Sequence, residues 1–333
     1  MISVSVVIPV FNAAKYLEEC LGSVLSQTLD NIEIICINDG STDDSLEILQ
    51  KKQNADKRIT ILNQQNSGVS AARNAGVDVA VGKYIGFVDG DDTIDPSFFQ
   101  KLYNAAEKKQ ADSVYSKLYP NQSFIHNELL QDGDIKKILL PEFFKGDEFN
   151  SVCNKIFLNK IVKESQIKFP EKVKHGEDAQ FNIEFLIRAN RVTFLNYCGY
   201  KYREVEGSAT RNIAKGSYLE TALEVYKKDW RPVIFDAIDD DKMAELKKIR
   251  FANNIISLLY NYAKPKNGLT LKERFSKLKT LTSNSVVQTV FSDKTLKDKL
   301  NLSSYKNTIF DEIKNKSVFK LYLLTIYSYY KNK

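Results

Sequence analysis

The chain predicts an α/β fold: a mostly parallel sheet with helices on both faces, followed by a helical C-terminal region. Three observations carry that reading. Four short apolar runs, at residues 4–10, 32–37, 59–62 and 84–88, have the length and β-branched content of buried strands. They alternate with apolar-periodic helical patterns at about 13–27, 43–53 and 69–80, the βαβα rhythm that builds a parallel sheet. From about Gly216 glycine almost disappears, and Leu, Ile, Tyr and Lys recur at helical spacing.

Size and composition set the domain plan. A chain of 333 residues, 43% hydrophobic, is more naturally an α/β domain of residues 1–215 plus a basic helical region of residues 216–333 than one continuous core. The α/β domain divides at 98/99 into an amino-terminal ligand-binding half and a second half that completes the site. Internal repeats, low-complexity tracts and long linkers are absent from the sequence. The only histidines are His126 and His175, too few for a histidine zinc cluster. Cys20, Cys36, Cys153 and Cys198 form no Cys-x-x-Cys pair, and two of them fall in expected buried segments, which suggests reduced thiols and a cytoplasmic setting. Residues 1–10 have no basic leader and read as a first strand rather than a signal peptide.

Each early strand ends in polar, turn-forming residues: Pro9, Val10, Phe11 and Asn12; then Asn38, Asp39, Gly40, Ser41, Thr42 and Asp43; then residues 63–68; then Asp89, Gly90, Asp91 and Asp92. In a parallel sheet these loops gather along the carboxyl edge, where open α/β sheets bind ligands. Carboxylates crowded at such an edge repel one another unless a cation joins them, and a hard divalent ion bridging to substrate phosphates answers that need. A bare acidic turn before the helix that follows Pro96 is the competing reading of the same four residues.

Residues 6–12, the stretch Asn38 to Asp43, the pair Asn66 and Gly68 followed by Ala72, Arg73, Asn74, Ala75 and Gly76, and residues 87–92 together resemble, in order and spacing, the nucleotide-binding half of the inverting glycosyltransferase family 2, of GT-A fold, bacterial cell-surface polysaccharide type. The resemblance covers roughly residues 1–210. It implies a UDP-sugar donor, with Pro9, Val10 and Asn12 offering groups to the base and Asp39 accepting the N–H of a uracil edge. Asn66, Gly68 and Gly90 belong to the same binding loops, and Arg73 reaches the diphosphate or pairs with an acidic neighbour. Asp89 is expected near the ribose and the metal, and Asp91 as ligand to Mn²⁺ or Mg²⁺ held between the donor phosphates. Asp92 is open between metal shell, acceptor contact and helix cap. Read alone, Asp39 is also a good turn residue, and Asp43 suits a helix N-cap.

Glu177 and Asp178 precede the apolar-periodic Phe181, Phe185 and Leu186, which places two carboxylates in the first turn of a helix. The resemblance assigns Asp178 as general base on the acceptor hydroxyl, with Glu177 as the alternative. His175 is a candidate contact beside that base, and Lys155 a candidate phosphate or acceptor contact. Tyr200 and Tyr202 alternate as in a strand with one buried face, leading to Arg203 and Ser208, candidates for closing over the diphosphate.

Residues 242–333 hold 19 Lys and Arg against 6 Asp and Glu, a surplus of 13 in a chain of net +6, which leaves −7 for residues 1–241. Such polarity points to an anionic partner, with a membrane surface preferred because residues 319–331 are aromatic-rich and lysine-flanked yet too short to span. The alternative is a terminal helix packed on the catalytic domain or on a second subunit, as in a homodimer. Nucleic acid is disfavoured, since no recognisable binding motif accompanies the charge. The Gln-x-x-Arg-Trp signature of processive synthases is also missing, so the expectation is transfer of single sugars to a glycan or lipid-linked saccharide by a cytoplasmic enzyme, peripheral at the inner face of the cell membrane. A sugar-1-phosphate nucleotidyltransferase and a non-catalytic nucleotide-sugar binder are the other readings. The first normally needs a Gly-rich, basic loop after its first strand, which residues 9–15 do not supply.

Overall fold

A computed structural model of the chain describes residues 1–122, 129–171, 176–203, 218–234, 237–265, 267–300 and 302–331. Two compact units emerge: residues 1–143 with 147–205, and residues 144–146 with 206–333. The first unit ends ten residues short of the expected boundary, and Phe144 groups with the second because its ring packs edge-on against Trp230, 5.2 Å between centroids.

The α/β unit begins with β1 (Val4–Val10), α1 (Ala14–Leu25), β2 (Ile32–Asp39), α2 (Ser45–Ala55), β3 (Ile59–Gln64), α3 (Val69–Val79) and β4 (Tyr84–Phe87). These match the expected runs within two or three residues at each end. The chain continues through β5 (Thr93–Ile94), α4 (Phe98–Lys109), β6 (Ser113–Ser116), β7 (Leu130–Gln131), the short helix α5 (Asp132–Asp134), a π-helical turn Ile135–Leu139 and α6 (Leu140–Lys145). It closes with β8 (Lys155–Leu158), α7 (Asn159–Glu164), α8 (Glu177–Leu186), β9 (Arg191–Leu195) and β10 (Tyr200–Lys201).

Eight strands form one sheet in the order β3-β2-β1-β4-β8-β6-β9-β7. The β3-β2-β1-β4 block is parallel throughout, β6 and β9 are parallel to each other, and β8 and β7 run antiparallel to their neighbours. The strand order reverses direction around β1, so the loops after β1 and β4 sit side by side at the carboxyl edge. Separately, β10 pairs antiparallel with β5, Tyr200 against Ile94. Tyr200 is buried as expected, but the strand stops at Lys201 and Tyr202 is exposed.

Phe87, the last residue of β4, fixes the middle of this unit. It lies edge-on to Phe157, Phe169 and Phe181, while Phe169 and Phe181 stack at 4.2 Å. Edge-to-face aromatics pack without voids and hold orientation. This cluster joins β4, β8 and the start of α8, and so sets the distance between Asp89, two residues after Phe87, and Asp178, three before Phe181.

The helical unit contains α9 (Tyr218–Lys227), α10 (Arg231–Ile234), α11 (Asp240–Ala263), α12 (Leu271–Ser283), α13 (Ser285–Phe291), α14 (Lys294–Lys299), α15 (Ser304–Lys314) and α16 (Val318–Lys331). Asp239, Thr270, Asn284, Asp293 and Ser303 accept backbone N–H groups at the starts of α11 to α15, with Thr270 and Glu273 forming a reciprocal capping box. Its core gathers Phe251, Ile255 and Leu259 of α11 with Leu278, Phe291, Phe310 and Leu321.

Gly86 lies under Phe99, and a Cβ there would stand 2.5 Å from the ring. Gly86→Ala is expected to lower the unfolding free energy by about 1–3 kcal/mol, as overpacking does, read from a shifted urea midpoint at unchanged slope.

Candidate active site

The loops after β1, β2 and β3 are tied together by their own side chains. Asn12 takes a left-handed conformation, φ 49°, one that Asn tolerates. Its Oδ1 accepts the Thr42 N–H at 2.8 Å, and its own N–H donates to Ser41 Oγ at 3.0 Å. Asp43 accepts the N–H groups of Ala14 and Ser45, doing a cap's work one residue before Asp44, the N-cap of α2. Gly40, at φ 71°, allows the next loop in: a Cβ would stand 2.7 Å from the Asn66 nitrogen. Gly90 plays the same part between β4 and β1, where a Cβ would meet the Pro9 carbonyl at 3.2 Å.

Asp39 is buried and organises the third loop. Its Oδ1 accepts from Gln64 Nε2 at 2.7 Å and from the Ser67 N–H at 2.9 Å, and Oδ2 accepts from the Gly68 N–H at 2.8 Å. An ionised carboxylate offers about four lone-pair positions, so three are engaged and one is left for a ligand. Pro9 is partly exposed, Val10 is buried, and Asn66 and Gly68 are exposed at the same edge.

The electrostatic centre is Arg73. It projects from α3 with its side chain 5% exposed and forks: Nη2 donates to Asp89 Oδ1 and Nη1 to Asp178 Oδ1, each at 2.8 Å. The guanidinium carbon lies 5.3 Å from the Phe169 ring centroid. Asp89 Oδ2 accepts the Cys153 S–H, and Asp178 Oδ2 accepts the Val152 N–H at 3.4 Å. Asn182 Nδ2, one turn along α8, donates to the Asp178 carbonyl and to that of Asn150. Burial pushes the Asp178 carboxyl up to about 6 against the pull of Arg73, with the charges of Glu177 and Asp89 adding to the rise.

Asp92 is spoken for by protein groups. Tyr200 donates its hydroxyl to Oδ2 at 2.6 Å, the Arg203 N–H donates to Oδ1 at 2.7 Å, and burial raises its pKa to about 7. Tyr200 Oη also accepts the Asp89 N–H. Arg203 donates Nε to the Asp91 carbonyl at 2.9 Å and pairs with Glu19. Among the described residues Asp91 alone of the run's carboxylates makes no ion pair and no contact to another side chain's donor; burial, then the charge of Asp89, raises its pKa. Glu177 stands partly exposed at the start of α8.

In place of the expected ligand contact, Lys155 is enclosed. Its Nζ donates to the carbonyls of Phe149 and Ser151, lies 4.5 Å from the Tyr115 ring, and is pushed down to about 7 by burial against the pull of Asp178. It therefore shapes the segment that presents Val152 and Cys153 to the two aspartates. His175 and Ser208, expected near the base and the diphosphate, lie outside the described residues, as does His126.

Among the described residues no group of three or more His, Cys, Asp or Glu side chains is arranged to enclose a metal. The donor set instead fits an ion of the Mg²⁺ or Mn²⁺ type, held by one or two carboxylates and completed by phosphate oxygens and water. Asp91, unpaired and with charge that burial and Asp89 disfavour, is the residue whose electrostatics such an ion would relieve.

Residues 5–165 match the family described as Glycosyl transferase family 2. The uncharacterized glycosyltransferase EpsJ of Bacillus subtilis (strain 168) is 35% identical over 232 residues, which span 67% of this chain and 67% of that one. The chain belongs to glycosyl transferase family 2. This family 2 enzyme is also 32% identical over 262 residues to the glycosyltransferase GlyG of Streptococcus pneumoniae serotype 4, spanning 75% of this chain and 85% of that one. Its fold is that of S. aureus TarS 1–349 in complex with UDP-GlcNAc, with a TM-score of 0.61 at 20% identity over 100% of this chain and 93% of that one. Membership makes it a glycosyltransferase, and the nucleotidyltransferase and non-catalytic readings give way.

Sequence reasoning missed Tyr200, Cys153 and Asn182 as parts of the site. The only signal for them was position: Cys153 stands just before β8, Tyr200 opens β10, and Asn182 is four residues beyond Asp178 on α8.

Arg73→Met leaves two acidic groups facing one another in a half-buried setting. The unfolding free energy should fall by about 3 kcal/mol, the low end for breaking a buried pair, because Asp89 keeps 31% of its side chain in water. Adding Asp178→Asn to that background should recover part of the loss in the same denaturation assay.

Proposed function

We propose that this family 2 glycosyltransferase moves a single sugar from a UDP-sugar to a hydroxyl of a glycan or lipid-linked saccharide, with inversion, in cell-surface polysaccharide synthesis. The Arg73 fork is the observation that carries the reading. It ties the carboxylate after β4, in the donor half, to the carboxylate in the first turn of α8, in the acceptor half. Donor and base are thereby held in one fixed relation, as an in-line displacement requires.

The roles follow from position and electrostatics. Asp39, with one lone-pair position open, accepts the N–H of uracil, while Pro9, Val10 and Asn12 line the base. Asp89 meets the ribose, and Asp91 holds Mn²⁺ or Mg²⁺. When bound, that ion neutralises the diphosphate as its negative charge develops. Asp178 accepts the proton of the attacking hydroxyl. With a pKa of about 6 it is roughly ten parts ionised to one at neutral pH, yet basic enough to take a proton in the transition state. The N-terminus of α8 favours its charge. Attack on the face opposite the departing UDP needs a base on the acceptor side, and Asp178 comes from that side. The complex of TarS with UDP-GlcNAc, a protein of the same fold, supports a UDP-linked donor.

Three measurements test this. A panel of nucleotide sugars with Mn²⁺ should raise the melting temperature with UDP-sugars and not with GDP-sugars. A ligand at a hundredfold excess over Kd adds about 2.7 kcal/mol. Asp178→Asn should keep that shift and lose transfer by about 10²–10⁴, and in the wild type kcat/KM should fall as pH drops through about 6, since Asp178 protonates there. Unimpaired transfer by Asp178→Asn removes the assigned base.

A further inference from the structure

We infer that the outward face of α16 docks on an anionic lipid bilayer, with the helix lying in the interface. The inference rests on the helical unit alone and not on the transfer chemistry. α16 runs Val318–Lys331 without a single Asp or Glu. Its inner face is settled, with Leu321 and Thr325 buried. Its other face holds Phe319, Leu323, Tyr327 and Tyr330 at 64%, 50%, 60% and 62% exposure. At 3.6 residues per turn these four lie within an arc of about 80°, and Lys320 and Lys331 border that arc on one side. The stripe extends onto α12. Phe275 stacks on Phe319 at 6.5 Å, and Leu271, one turn before Phe275, is exposed beside the exposed Lys272.

Single exposed apolar residues need no explanation, but a continuous aromatic stripe on a terminal helix marks an interaction surface. Its composition selects the occupant. Tyr and Phe, with Lys at the border, suit the headgroup level of a bilayer, where rings bury and ammonium groups stay wet. Among the described residues no helix is long and apolar enough to cross, so the contact is one of lying on the surface. Charge completes the argument. Residues 242–333 carry 19 Lys and Arg against 6 Asp and Glu, which a negative leaflet attracts. A second copy of the chain would set that surplus against itself.

The test is co-sedimentation of the full chain with neutral phosphatidylcholine vesicles and with vesicles containing about one-third phosphatidylglycerol. Binding is expected on the anionic vesicles, weakening as salt is raised. Lys320→Gln and Lys331→Gln should each lower the partition coefficient by up to about fivefold. Leu323→Glu with Tyr327→Glu should abolish binding while the melting temperature stays within a few degrees of wild type. Equal binding to both vesicle types, no binding to either, or a concentration-dependent dimer that the Glu variants dissolve would each overturn the inference. UDP-sugar binding measured on the same Glu variants is expected to be unchanged, which separates a failure here from a failure of the proposed transferase chemistry.

Discussion

One buried guanidinium sets the geometry on which the rest of the α/β unit depends. Arg73 and Asp178 are 105 positions apart in the chain, and Asp89 comes from a third element, yet one planar fork holds both carboxylates at hydrogen-bond distance. A lysine would hold the pair less firmly, since its donors sit on one rotating nitrogen at the end of a flexible stem and not on a rigid plane. Burying such a charge is costly, and two carboxylates, an aromatic face, and the Val152 N–H and Cys153 thiol that donate to those carboxylates offset that cost together. The aromatic cluster around Phe87 is the apolar half of the same device. It fixes β4 against α8 so that the fork has two targets to reach.

Around the fork, most buried polar groups serve to position others. Lys155 illustrates this: a cation that looks like a phosphate hook when read in sequence spends its hydrogen bonds on two loop carbonyls. Asp39 spends three on a neighbouring loop and keeps one position open. Such saturation gives pre-organisation, because loops already held in place need little ordering when a ligand arrives. The glycines at 40 and 90 do the complementary work, removing the carbon atoms that would keep the loops apart.

Much of this was legible in the sequence. The βαβα periodicity located four strands and three helices within a few residues, because β1, β2 and β4, buried on both faces, must be nearly continuously apolar, and the edge strand β3 keeps Ile59, Ile61 and Leu62. The acidic run, Arg73 and the pair at 177–178 were legible as a group because their order and spacing matched a family. What stayed hidden was pairing. Nothing in a linear pattern says that Arg73 binds Asp178, that Tyr200 bonds Asp92, or that Lys155 points inward, since these depend on distant returns of the chain: α8 for the first, the separate β10–β5 pair for the second and the antiparallel β8 for the third. Helix caps are partly legible: Asp43 stands one residue before the N-cap Asp44, and the Thr270–Glu273 capping box carries its signature in the sequence as Thr followed three residues later by Glu.

The state of Asp92 has a consequence for how the acidic run behaves. With Tyr200 and the Arg203 backbone occupying that side chain, and Arg73 occupying Asp89, the four residues offer one unengaged carboxylate and not three. A single oxygen donor group is a poor cage for a hard cation in water. On the proposed chemistry the run would serve as half of a composite receptor whose other half is carried by the phosphates, so that ion and nucleotide would strengthen each other's hold and neither would linger without its companion.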